Sequence, residues 1–213
     1  MVPVLACVVG ALSAGLAAWA LNGFMLRNAQ SDAPILRRYL QVPVAAALGG
    51  LAGLAGSWAE MLTLVVLAVA GGLLTVIDLA EERLPDAILL PLIPITFALL
   101  TLSAWVTGDW WALLRAVEAG AALFAFVFVM MIFSPDLGFG DVKFAAVTGA
   151  FCGWFGWGAV LLGFAAAWFT FAAVGVVLLA TRKRHGRSSF AFGPFMILGA
   201  VLGVFWAGAV LTW

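Results

Sequence analysis

Of 213 residues, 66% are hydrophobic and 9% charged, against about 45–50% apolar and about 25% charged in a soluble domain. A mean hydropathy of +1.19 leaves too little polar surface to coat a water-soluble globule, which excludes a soluble enzyme and indicates an integral membrane protein. Ten Lys and Arg balance ten Asp and Glu, so no bulk field favours nucleic acid and the position of each charge carries the information.

A helix crossing a hydrocarbon core of about 30 Å needs about 20 mostly apolar residues. In chain order, the charge-free windows are 2–26, 42–59, 61–77, 87–108, 119–135, 144–181 and 188–213. The first has no basic segment before its apolar core, so it reads as a permanent span rather than a cleaved signal peptide. Window 144–181 holds 38 residues and as one helix would be about 57 Å long, so it folds back once. Cys152-Gly153-Trp154-Phe155-Gly156-Trp157-Gly158 is the expected hairpin, since glycine permits the turn and tryptophan favours the interface. Eight transmembrane helices result.

With eight spans, one side of the membrane receives Arg27, Arg37, Arg38, Arg83, Lys143, Arg182, Lys183, Arg184 and Arg187, and the other only Arg115. Basic residues of short loops concentrate in the cytoplasm, so both termini are expected to face outward. Glu60 then marks a tight outer turn, and Gly108-Asp109-Trp110-Trp111 another. The expected architecture is an all-α, polytopic helix bundle forming one membrane domain over 1–213. Cys7 and Cys152 form no Cys-x-x-Cys pair and read as buried small hydrophobes, with a disulfide between them left open. No metal site or cofactor is expected.

Six of the seven acids assigned to the cytoplasmic side fall in two short segments. The first is Asp78-Leu79-Ala80-Glu81-Glu82-Arg83-Leu84-Pro85-Asp86, and the second is Asp136-Leu137-Gly138-Phe139-Gly140-Asp141-Val142-Lys143. Asp78 closes one apolar run and Asp141 opens another, so two carboxylates enter the membrane from the same side on different helices. Facing carboxylates in a partly dehydrated pocket share one proton. The charged member can then activate a water against an amide carbonyl while the protonated member polarises that carbonyl, with no metal required. Gly138 and Gly140 would allow positive φ and close approach of a peptide backbone.

Simpler readings exist for the same residues. Asp141 can cap a helix N-terminus, and Asp78 can pair with Arg83. Glu81, Glu82 and Arg83 read as a hydrated loop surface, and the run 182–187 as a topology anchor near anionic headgroups. His185, the one histidine, offers no basis for a nucleophile triad or zinc site. A small transporter or proton pathway is the alternative from another class, because it too uses intramembrane carboxylates, although here the acids gather at one face. A noncatalytic scaffold is the third reading.

The two segments resemble the type IV prepilin peptidases, membrane aspartyl proteases of the Gly-x-Gly-Asp class. The similarity rests on Asp78 with Arg83-Leu84-Pro85-Asp86, on Gly138-Phe139-Gly140-Asp141-Val142-Lys143, and on Phe190-Ala191-Phe192-Gly193-Pro194-Phe195 before the last helix. It implies Asp78 and Asp141 as the catalytic pair, with Pro85, Gly138, Gly140 and Lys143 in the substrate-binding loops. It also implies that a prepilin or pseudopilin precursor loses a short basic leader at the cytoplasmic face of the bacterial inner membrane, with the bilayer and a pilus or secretion machinery as partners. Larger members carry a Cys-x-x-Cys zinc insertion and methylate the new N-terminus. The 27–41 loop here has 15 residues and no cysteine, which does not support methylation.

Overall fold

The computed structural model describes residues 3–134, 137–180 and 191–210, and among them it is helical without strands. In order, the α-helices are α1 (Pro3–Ala20), α2 (Asn22–Asn28), α3 (Gln41–Gly49), α4 (Trp58–Glu81), α5 (Asp86–Thr107), α6 (Trp110–Phe133), α7 (Phe139–Phe155), α8 (Trp157–Ala180) and α9 (Gly193–Val210). Short 3-10 turns occupy Pro34–Arg37 and Gly50–Leu54. The chain divides into two compact units, Met1–Leu113 and Leu114–Trp213.

Every expected apolar window contains a helical segment. Among the described residues four helices, α4, α5, α6 and α8, are long and apolar enough to cross a membrane, and five spans result if α1 and α2, bent by 52°, count as one. The architecture is that of a multi-pass membrane protein. Window 42–59 is more irregular than its composition indicates. Its α-helix stops at Gly49 and continues as a 3-10 turn to Leu54, a length of about 23 Å, shorter than the hydrocarbon core. Outward-facing side chains are those of a lipid-facing surface: Leu16, Trp105, Phe133 and Phe169 are all more than 60% exposed on the bare protein.

In the first unit, α1 and α3 pack on each other and on α4, which in turn packs on α5. Close approach of backbones rests on small residues. A Cβ at Gly72 of α4 would lie 2.8 Å from both the Ala45 Cβ and the Gln41 carbonyl oxygen of α3. Across α4 and α5, the buried Thr63 and Ser103 hydroxyls meet at 3.2 Å. The turn at Glu60 is a capping box: the Glu60 N–H donates to Ser57 Oγ at 3.2 Å, and the Ser57 N–H to Glu60 Oε2 at 3.1 Å. Gly108, at φ 77°, ends α5 where the outer turn is expected, and Asp109 Oδ1 then accepts the Ala112 N–H.

In the second unit, α8 and α9 share the most extensive interface, and α7 packs on both. The long window breaks within the expected hairpin, at Gly156. Its φ of 131° and ψ of 165° are accessible to glycine alone without strain, and α8 starts at the next residue. Trp168 and Phe171 of α8 hold Phe192 with centroid distances of 5.1 Å each, fixing the approach to α9. Both cysteines are free thiols; Cys152 is buried as expected, but Cys7 is only half-buried.

Candidate active site

Asp78 lies in the last turn of α4, the helix that closes the longest buried apolar run in the first unit. Ala68 to Ile77 are all buried, and Asp78 itself is 2% exposed. An acid at this position is costly unless the surrounding groups compensate it. The turn ends abruptly. Glu82 adopts φ 52°, a left-handed conformation uncommon outside glycine and asparagine, and its N–H donates to the Asp78 carbonyl at 2.8 Å. The chain then runs through buried Leu84 and Pro85, and the Pro85 carbonyl accepts the first N–H groups of α5 at 3.1 Å. Asp86, in the first turn of α5, is exposed.

The residues expected to form a hydrated loop surface behave differently from one another. Glu82 is exposed, but the Glu81 side chain is 4% exposed and pairs with Arg83 at 2.7 Å. Glu81 also accepts the N–H groups of Gln30 and Ser31 at 2.6 and 2.8 Å, and Arg83 donates to the Asn28 carbonyl at 2.9 Å. Sequence reading missed this cluster because its partners lie 50 or more positions upstream, in a loop whose composition carries no local signal.

In the second unit, Gly138 occupies the N-cap of α7, Gly140 and Asp141 its first turn and Lys143 the next. The Gly138 N–H donates to Asp141 Oδ2 at 3.0 Å, and the Asp141 N–H donates to the Gly138 carbonyl at 3.1 Å. Asp141 therefore does cap its own helix, with the carboxylate placed favourably at the positive end of the helix dipole. Lys143 Nζ lies 4.8 Å from the centroid of the half-exposed Phe139 ring. The expectation of positive φ at the two glycines is not met: Gly138 has φ −84°, and neither is left-handed. Gly138 instead leaves its side-chain position open. A Cβ there would meet nothing closer than 3.6 Å.

Asp78 and Pro85 belong to the first unit, and Gly138, Gly140, Asp141 and Lys143 to the second. Asp136, Phe190 and the basic run 182–187 lie outside the described residues. Pro194 falls in the first turn of α9, where a missing N–H interrupts no helical bond. Among the described residues, no three His, Cys, Asp or Glu side chains are grouped so as to hold a metal ion.

The Type IV leader peptidase family matches residues 65–213, a stretch that contains both aspartates and Pro85, Gly138, Gly140 and Lys143. The chain belongs to this family. A prepilin leader peptidase/N-methyltransferase of Legionella pneumophila is 29% identical over 191 residues, covering 86% of this chain and 64% of that protein. Its counterpart in Aeromonas hydrophila is 29% identical over 188 residues, covering 85% and 63%, and one from Burkholderia pseudomallei strain 1026b is 32% identical over 181, covering 81% and 56%. The chain thus spans less than two thirds of the length of these relatives. No solved structure matches it.

Proposed function

We propose that this chain is an aspartic endopeptidase that removes short basic leaders from prepilin or pseudopilin precursors at the cytoplasmic face of the bacterial inner membrane. In this reading residues 1–213 act as one peptidase domain, with Asp78 and Asp141 as the catalytic pair and Pro85, Gly138, Gly140 and Lys143 beside the substrate. The observation that carries it is Asp78: a carboxylate 2% exposed, closing an apolar helix within the family-matched region. Structural requirements alone do not favour such a residue, because an amide or apolar side chain there avoids the desolvation cost.

The chemistry follows from two carboxyl groups sharing one proton. The charged member takes a proton from water as the water oxygen bonds to the scissile carbonyl carbon. The protonated member donates a hydrogen bond to the carbonyl oxygen, and the proton held by the first passes to the leaving nitrogen as the C–N bond breaks. Gly138, free of side-chain bulk, suits an extended peptide lying against the backbone. The precursor's apolar helix remains in the bilayer while its leader reaches the aqueous boundary, where protein partners of the pilus or secretion machinery receive the product.

Co-expression with a candidate prepilin, read by the mobility shift of the processed precursor, tests this. Asp78→Asn and Asp141→Asn should each abolish processing, with losses of about 10³-fold or more. Wild-type processing by either variant, inserted at normal levels, contradicts the proposal.

A further inference from the structure

The end of α4 is tied to a segment 50 residues away by a small ionic cluster that the peptidase chemistry does not use. Glu81 Oε1 accepts three hydrogen bonds, from the Gln30 N–H, the Ser31 N–H and the Ser31 hydroxyl, at 2.6, 2.8 and 3.1 Å. Its other oxygen accepts from Arg83 Nε at 2.7 Å. Arg83 Nη2 in turn donates to the carbonyl of Asn28, the last residue of α2, at 2.9 Å. Arg83 is thereby both the counter-ion of Glu81 and the cationic cap of a helix C-terminus, where the dipole favours positive charge. The left-handed backbone of Glu82 makes this possible, turning the chain so that side chains two residues apart meet.

We infer that Glu81 and Arg83 are positioning residues of the peptidase. They fasten the 28–31 segment across the end of α4 and hold in register the turn that carries Asp78, three residues before Glu81. The inference rests on the proposed role of Asp78. A surface ion pair contributes little, but the Glu81 side chain is 4% exposed and Arg83 is 31% exposed. Removing Arg83 takes the counter-ion from Glu81 and the donor from the Asn28 carbonyl, and removing Glu81 strips the shared acceptor from Gln30, Ser31 and Arg83. Residues 30 and 31 use backbone donors, so the cluster fixes main chain and not only side chains. Catalytic geometry is sensitive to this, because misplacing a reacting group by about 1 Å costs about 100-fold in rate.

A merely structural clamp would lower thermal stability and leave turnover per folded molecule unchanged. A positioning clamp lowers kcat, with KM little altered, since both Glu81 oxygens are engaged by Gln30, Ser31 and Arg83. The test uses the full chain reconstituted in liposomes with a precursor carrying a basic leader before an apolar helix, measuring kcat and KM per folded molecule. Glu81→Ala and Arg83→Ala should lower kcat by about 30-fold with KM within about twofold. Glu81→Gln, which keeps the acceptor oxygen facing residues 30 and 31, and Arg83→Lys, which keeps the charge, should lie only about fivefold below wild type. If the alanine variants fail to accumulate, these conservative variants decide the matter, and wild-type kcat in both overturns the inference. Wild-type kcat in Glu81→Ala, or a lowered melting temperature alone, overturns it equally. Asp78→Asn in the same assay separates the two claims. Its full activity defeats the proposed function, whereas its inactivity beside a normal Glu81→Ala defeats only the clamp.

Discussion

The two helix ends that carry the aspartates are built on opposite principles. At the end of α4, Asp78 is buried, and the backbone around it is fixed by residues distant in sequence: Glu81 and Arg83 to Asn28, Gln30 and Ser31, and Gly72 to Gln41 and Ala45. At the start of α7, Asp141 is half-buried and fixed by its own neighbourhood, through the reciprocal bonds with Gly138 and the Lys143–Phe139 contact. A helix start can be specified by four consecutive residues, because its orphan N–H groups are satisfied locally. A helix end that carries a buried acid needs partners from elsewhere in the fold.

If this contrast is correct, the two ends should respond differently to perturbation. The largest stability effect is expected at Gly72: Gly72→Val forces a branched side chain against α3 backbone and should lower stability by about 3 kcal/mol, read as the melting temperature in detergent. Gly156→Ala should cost about 1–2 kcal/mol in the same assay, because φ 131° is strained for any residue with a Cβ. Ser57→Ala, which removes one half of the α4 capping box, should cost about 1 kcal/mol. Smallest is Phe139→Ala, where loss of the cation–π contact should cost about 0.5–1 kcal/mol and leave the α4 end unaffected. Hydrogen exchange at residues 28–31 sharpens the comparison. Glu81→Ala should accelerate it strongly while Phe139→Ala leaves it unchanged, and an equal response at both ends would dissolve the distinction.

The local device was legible in the sequence and the distant one was not. Charge-free windows located the helical segments because the hydrophobic requirement of a membrane helix is written residue by residue. The break at Gly156 and the turns at Glu60 and Gly108 follow from glycine conformation and capping chemistry in short stretches. Hydropathy does not register bends, so the 52° change of direction between α1 and α2 lies unmarked inside one apolar window. The shortening of α3 into a 3-10 turn is equally silent. Glu81 and Arg83 read as solvated because their composition is polar, and only the return of residues 28–31 reveals them as a partly buried, hydrogen-bonded pair. Asp78 and Asp141 were singled out by their placement at the ends of apolar runs.

Cleavage of a purified precursor by wild type, Asp78→Asn, Asp141→Asn and the double variant bears most directly on the claim that these two carboxyl groups work as one unit. Groups that act together are non-additive, so each single variant should lose about 10³-fold or more in kcat/KM and the double variant little beyond that. Losses that multiply in the double variant, or a single variant that cleaves at the wild-type rate, would contradict it.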